Sequence, residues 1–146
     1  MKYSVANTVL AGIAGTAVIT SMMLLLSAVG MPDIEYGTML ATFTHTSPIV
    51  GWIMHFAMGI LLAFLYVNYF RDEINGPYAM RGLIYSVLPW GVTLIMLFPM
   101  LGMKAISANS QSPGIFILST MIAYLAYGFV MGAIAKPHHQ ADVRHA

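Results

Sequence analysis

Four long apolar segments dominate this sequence and constrain its fold more than any other feature. A helix needs about 20 mostly apolar residues to cross the hydrocarbon core of a bilayer. The segments reach that length and are separated by polar or helix-breaking residues; they cover residues 5–29, 49–70, 82–103 and 115–135. Charged residues make up only 8% of the chain, against about a quarter in a typical soluble domain. The sequence therefore predicts an all-α integral membrane protein, a four-helix bundle forming one domain over residues 1–146, with a polar tail at 136–146.

The basic residues predict how this bundle is oriented. With four spans, five of the six basic residues fall on one side, namely Lys2, Arg71, Arg81, Lys136 and Arg144. Lys104 falls on the other side with Asp33 and Glu35. Because basic residues are enriched in cytoplasmic loops, we expect both termini in the cytoplasm and the loop at 33–47 on the opposite face. Asp33 and Glu35 are expected in a solvated turn there, and Arg71 in a solvated loop with Asp72 and Glu73.

Small residues and prolines predict how the helices pack and bend. Close backbone approach between membrane helices favours small side chains, and the candidate contact positions are Gly12, Gly15, Gly59, Gly128 and Gly132. The last two form a GxxxG pair, which serves either packing within the chain or a seam between two copies of it. The third segment contains Pro89 and Pro99. Each proline removes a backbone donor, so we expect the third helix to be kinked.

His55 is the residue within the spans that most suggests a functional site. Ionisable residues inside a membrane span are rare and usually face the bundle interior or a cavity. His55 either bonds to a hydroxyl or carbonyl on another helix, or anchors a ligand. Tyr124 and Tyr127 lie at a similar predicted depth, and Thr93 lies on the third helix. We expect these four residues to form a buried polar cluster or ligand site.

The residues available for a cofactor are few. A haem in a bundle normally takes two axial ligands, and no second histidine lies within a predicted span, so haem would need a methionine partner. The chain has 13 methionines and no cysteine; thioethers can bind Cu(I), but these methionines are scattered and also suit apolar packing. No specific metal site is predicted. A net charge of +1 without a basic face gives no reason to expect nucleic acid binding.

Short motifs follow one another in an order that resembles a known family. They are Ala11-Gly12 with Thr16 and Thr20, Gly51-Trp52 with His55-Phe56 and Gly59, Arg81-Gly82 with Pro89-Trp90 and Pro99-Met100-x-Gly102, and Tyr127-Gly128 with Gly132. This order resembles an uncharacterised family of small bacterial four-helix inner-membrane proteins, a domain of unknown function, over roughly residues 9–135. The resemblance implies the topology and a bacterial inner membrane, and it supplies no activity. It also implies that a histidine is common at position 124, where this chain has Tyr124.

Two functions remain open at this point. Little polar chemistry is available for catalysis, so the first is a non-catalytic accessory or scaffolding subunit of a larger membrane complex, for example a respiratory one. Its partners are the lipid bilayer, other membrane subunits, or further copies of the chain. The second is a membrane binding or transport module that holds a haem, a quinone, a lipid or a metal in a cavity near His55.

Overall fold

The fold is all-α, as the hydropathy pattern predicts. The computed structural model describes residues 4–97, 99 and 113–137, and within them the ordered elements are helices. We number them α1 (Val5–Ala28), α2 (Tyr36–Thr44), α3 (Pro48–Phe70), α4 (Tyr78–Leu97) and α5 (Pro113–Ile134). All except α2 are long and apolar enough to cross a membrane. The end of the third predicted span, the loop before the fourth and the tail after Pro137 lie outside the described residues.

Local sequence explains the start of α1, the end of α2 and the start of α3. Ser4 caps α1, its side chain accepting a hydrogen bond from the Asn7 amide at 3.4 Å, which satisfies one of the free amides of the first turn. Pro48 occupies the first turn of α3, where its missing N–H costs nothing. The α2 helix ends at His45, which takes a left-handed conformation (φ 55°) and so turns the chain sharply into α3.

The helix α2 is the main departure from the predicted organisation, which has a loop at this position. It crosses α3 through small residues. A Cβ atom at Gly37 would lie within 2.6 Å of the Trp52 ring, and one at Gly51 would meet the Gly37 carbonyl and lie 2.7 Å from the Ala41 amide nitrogen. These contacts place α2 against the first turns of α3. We call this end of the bundle the Asp33 end and the opposite one the Arg71 end.

The long helices pack through the glycines that the sequence singles out. The main packed pairs are α1 with α3, α1 with α5, and α4 with α5. A Cβ at Gly12 would lie 2.6 Å from the Ile60 Cα, and one at Gly15 would lie 2.7 Å from the Tyr127 ring. Gly59 faces Thr16 in the same interface. The α1 helix therefore lies between α3 and α5 at distances that larger residues would not allow.

The α4–α5 interface also brings two helix backbones into close contact. A Cβ at Gly132 would lie 2.8 Å from the Gly82 Cα, and one at Gly128 would meet the Gly82 carbonyl and lie 2.5 Å from the Ser86 Cβ. The GxxxG pair is thus used within the chain. Gly82, on α4, supplies the opposite half of the contact.

The third spanning helix departs from ideal geometry near its proline. It begins at Tyr78, one turn before the predicted start, and Pro89 lies inside its α-helical part. The backbone widens into a π-helical turn at Thr93–Leu97, and α3 ends in a similar turn at Tyr66–Phe70. Such turns are a common local adjustment in membrane helices. Pro99 is helical and exposed; the kinks at both prolines stay predictions.

Arg71 corrects the prediction of a solvated loop at the end of α3. Its side chain is 1% exposed, whereas Asp72 is 57% exposed. The guanidinium pairs with Asp72 through Nε at 3.2 Å and reaches the Ala135 carbonyl at 3.5 Å. That carbonyl follows the last turn of α5, where the partial negative charge of the helix favours a cation. Arg71 is buried because it joins the ends of two helices.

Candidate functional site

The His55 side chain is hydrogen-bonded to α1. Its Nε2 lies 3.1 Å from the Thr20 Oγ1, and the same hydroxyl donates to the Thr16 carbonyl at 2.8 Å. Because a hydroxyl has one hydrogen, Nε2 is the donor to Thr20. This network assigns the neutral Nε2–H tautomer, which leaves Nδ1 as the position that could accept a proton.

Aromatic rings surround the imidazole on the side of α2. The Tyr36 ring stacks on it, with centroids 5.2 Å apart and planes 11° from parallel. Trp52 and Phe56 approach edge-on at 5.8 Å and 5.9 Å. Tyr36 is held there because α2 packs closely on α3 through Gly37. The α2 helix therefore covers the histidine from the Asp33 end.

A second group of polar contacts lies next to His55. The Tyr124 and Thr93 hydroxyls are 2.7 Å apart, and the Tyr127 hydroxyl donates to the Gly59 carbonyl at 2.9 Å. Burial raises the pKa of the Tyr36 hydroxyl well above its ordinary value, and the Tyr124 hydroxyl contributes to the rise. The Tyr36 hydroxyl is therefore neutral at physiological pH.

Two cavities lie on either side of the histidine. The smaller one, about 40 Å³, lies among α1, α3 and α5; its lining includes Thr16, His55, Gly59, Tyr124 and Tyr127. The larger one, about 150 Å³, opens at the Asp33 end; it is lined by Thr20, Met23, Leu24, Asp33, Ile34, Glu35, Tyr36 and Trp52. A water molecule needs roughly 10–15 Å³ of such space and several polar partners. Both cavities have room for water.

The structure places the four predicted residues in two groups of contacts. His55, Tyr124 and Tyr127 line the smaller cavity, while Thr93 bonds to Tyr124 and the hydrogen-bond partner of His55 is Thr20. Thr20 and Tyr36 are the site residues that the sequence reasoning did not select. The spacing of Gly12, Thr16 and Thr20 could have indicated Thr20, because residues four apart share one face of a helix. Tyr36 carries no such signal, since its position depends on α2.

The dimensions of the site limit what it can hold. Cavities that bind drug-sized molecules measure about 300–1,000 Å³, whereas the two interior cavities beside His55 measure about 40 Å³ and 150 Å³. A wider groove of about 530 Å³ runs along α3 and is apolar; it is lined by Ile49, Trp52, Ile53, Phe56, Ala57 and Ile60. A porphyrin does not fit either interior cavity, whereas the larger of the two has the size of a cavity that holds a single six-membered ring. In the described ranges, no three His, Cys, Asp or Glu side chains come together as metal ligands. The arrangement suits water, protons or a small ion.

Comparison with known proteins places the chain in a family. No curated protein and no solved structure matches it. A family of unknown function, DUF6789, matches residues 3–144, which agrees with the resemblance seen in the sequence motifs. The match covers nearly the whole chain, including His55 and all four apolar segments. The chain therefore belongs to DUF6789, a family of unknown function.

Proposed function

We propose that this membrane protein acts through partners, as an accessory or scaffolding subunit of a larger membrane complex, with respiratory assemblies the first candidates. The observation that carries the proposal is the use of interior polar side chains as links between helices. His55 joins α3 to α1 through Thr20, and Tyr127 joins α5 to α3 through the Gly59 carbonyl. Hydrogen bonds of this kind hold membrane helices together.

The fourth spanning helix is tied in the same manner. Tyr85 on α4 donates to the Leu62 carbonyl of α3 at 3.1 Å. The Trp90 indole N–H donates to the Thr120 hydroxyl of α5 at 3.2 Å. Polar groups that an enzyme would direct at a substrate serve here to fix one helix against another. This supports a rigid unit whose contribution to a complex is its shape.

The proposed setting is a bacterial inner membrane with both termini cytoplasmic. The Arg71 end would then face the cytoplasm, in agreement with the basic residues Arg71, Arg81 and Lys136 at that end. The proposed domain organisation is a single membrane domain over residues 1–146. Since Gly128 and Gly132 are packed against Gly82 within the chain, association between copies would need another face.

The cavity volumes limit the ligands that the second function, a binding or transport module near His55, could involve. Inside the bundle, they favour water, protons or a small ion over a haem or a lipid chain. The two functions are compatible, because a subunit of a complex can also hold a small ligand. The partner hypothesis can be tested without knowing that ligand.

The test is purification of the protein from its native membranes in a mild detergent, with quantitative mass spectrometry of what remains bound. A stoichiometric membrane subunit would support the proposal and name the process. Photo-crosslinking adds a positional check, with the probe placed at Ile53 on α3 or at Leu25 on α1, which are 62% and 65% exposed. Crosslinks from one of these two positions to a single protein would support a partner that binds that face. A protein that purifies alone and crosslinks only to lipid from both positions is not an accessory subunit.

A further inference from the structure

The segment between α1 and α3, residues 29–47, extends into the bundle. The larger cavity brings Asp33 and Glu35 together with Thr20 of α1 and Trp52 of α3. Thr20 lies about two turns, or roughly 12 Å, before the end of α1. The helix α1 has 24 residues, about 36 Å, against a hydrocarbon core of about 30 Å. The cavity therefore reaches below the level at which α1 would leave the hydrocarbon.

The walls of this cavity are also the neighbours of His55. Thr20 accepts the His55 hydrogen bond, Tyr36 stacks on the imidazole, and Trp52 approaches its edge. His55 itself lines the smaller cavity on the other side, near Tyr124. The imidazole thus lies between a cavity at the Asp33 end and one in the bundle interior.

The chemistry of the larger cavity suits water and small cations. Asp33 and Glu35 are exposed, and Thr20 adds a hydroxyl deeper inside. Carboxylates accept hydrogen bonds from water and attract cations within a Debye length, about 8–10 Å. Besides His55, the ionisable groups that line the two cavities are these two carboxylates and the hydroxyls of Tyr36, Tyr124 and Tyr127.

We infer that the cavity among α1, residues 33–36 and Trp52 is an aqueous vestibule that carries water and protons from the Asp33 end to the His55 imidazole. The inference is separate from the partner hypothesis, since it concerns access to one side chain. A proton would enter by exchange along water molecules near Asp33 and Glu35. At the imidazole, exchange would take place at the Nε2–H that is bonded to Thr20, the vestibule residue that contacts this nitrogen.

Cysteine labelling tests the water access, because the natural chain has no cysteine. Thr20→Cys and Met23→Cys place a thiol in the vestibule, and Met23 is only 2% exposed. Ser21→Cys is the matched control, one residue from Thr20 but outside the cavity lining and exposed on the surface of the apolar helix α1. In nanodiscs, we expect a water-soluble methanethiosulfonate to modify Thr20→Cys and Met23→Cys at least about ten-fold faster than Ser21→Cys. Equal rates in folded protein would overturn the inference.

The charge of the vestibule is tested with the same reporter. A cationic and an anionic methanethiosulfonate are compared at Thr20→Cys, and the ratio of their rates is normalised to that at the exposed position Ser47→Cys. We expect the cation to be favoured several-fold. Asp33→Asn with Glu35→Gln should remove this preference, while Asp72→Asn with Glu73→Gln, at the Arg71 end, should leave it unchanged. A preference that survives the first pair would refute the role of the carboxylates.

Water access from the vestibule to the ring is tested by hydrogen exchange at the imidazole. In ¹⁵N-labelled protein in nanodiscs, a ring N–H in contact with water exchanges too fast to persist after transfer to D₂O. We expect no long-lived His55 N–H signal. A signal that lasts for hours would show that Tyr36 and Trp52 seal the ring from the vestibule, and the proposed route to His55 would be wrong.

Discussion

The hydroxyl of Tyr127 donates a hydrogen bond to the Gly59 carbonyl, 2.9 Å away and in the buried part of the bundle. It links α5 to α3 beside α1, and the Tyr127 ring also lies against Gly15 of α1. One side chain therefore contacts three helices. The absence of a Cβ at Gly15 is what allows the tyrosine ring to lie there.

Removing that hydroxyl should weaken the bundle by a modest amount. For Tyr127→Phe we expect the free energy of unfolding to fall by about 0.5–1.5 kcal/mol, in the range of a single buried hydrogen bond. Tyr69→Phe is the control, because Tyr69 is 68% exposed. Unfolding by SDS in mixed micelles, followed by circular dichroism, gives the comparison. Equal stability of the two variants would show that the Gly59 bond contributes nothing.

The α4–α5 contact should not tolerate a methyl group. Gly132→Ala places a Cβ 2.8 Å from the Gly82 Cα, so the helices must separate, and we expect a loss of about 1–3 kcal/mol. Gly91→Ala is the matched control on α4, where no atom lies within 4 Å of the added carbon. It should be neutral, or stabilising by up to about 1 kcal/mol through helix propensity. We expect a lower unfolding midpoint for Gly132→Ala than for Gly91→Ala, and the reverse order would contradict the tight α4–α5 contact.

A double-mutant cycle isolates the contact between Thr93 and Tyr124. Thr93→Val and Tyr124→Phe each remove one hydroxyl of the 2.7 Å pair. The coupling energy should be about 0.6 kcal/mol and no more than about 1.7 kcal/mol, as between other membrane helices. A second cycle, Thr93→Val with Tyr69→Phe, should be additive within about 0.5 kcal/mol. The contact is energetically irrelevant if both cycles are additive.

Arg71 should contribute more to the stability of the bundle than Asp72 does. Arg71→Ala removes a guanidinium that is 1% exposed and its bond to the Ala135 carbonyl, and we expect a loss of about 2 kcal/mol. Asp72→Asn should cost at most about 1 kcal/mol, because that carboxylate is 57% exposed and screened by solvent. Lys136→Ala, at an exposed position, is the control. Stability that depends more on Asp72 than on Arg71 would contradict this account.

Hydropathy along the chain is sufficient to predict the fold class and the approximate positions of the spanning helices. Both depend on hydropathy summed over about 20 neighbouring residues, which is a local property of the chain. The predicted contact glycines also lie in the helix interfaces, because only small residues leave room for close backbones. Pro89 lies inside α4, as the predicted bounds of the third span imply.

Which residues contact each other depends on how the helices pack. The partner of His55 is Thr20 because α1 packs on α3 with the face of Gly12 and Thr16, and the rotation of one helix against another is set by many contacts at once. The helix α2 is short, and its position depends on Gly37 and Gly51, so no periodicity in residues 33–47 predicted it. The burial of Arg71 also depends on tertiary packing, because it requires the end of α5, which lies 64 residues further along the chain. Hydropathy predicts that a segment crosses the membrane, and packing decides what each side chain touches there.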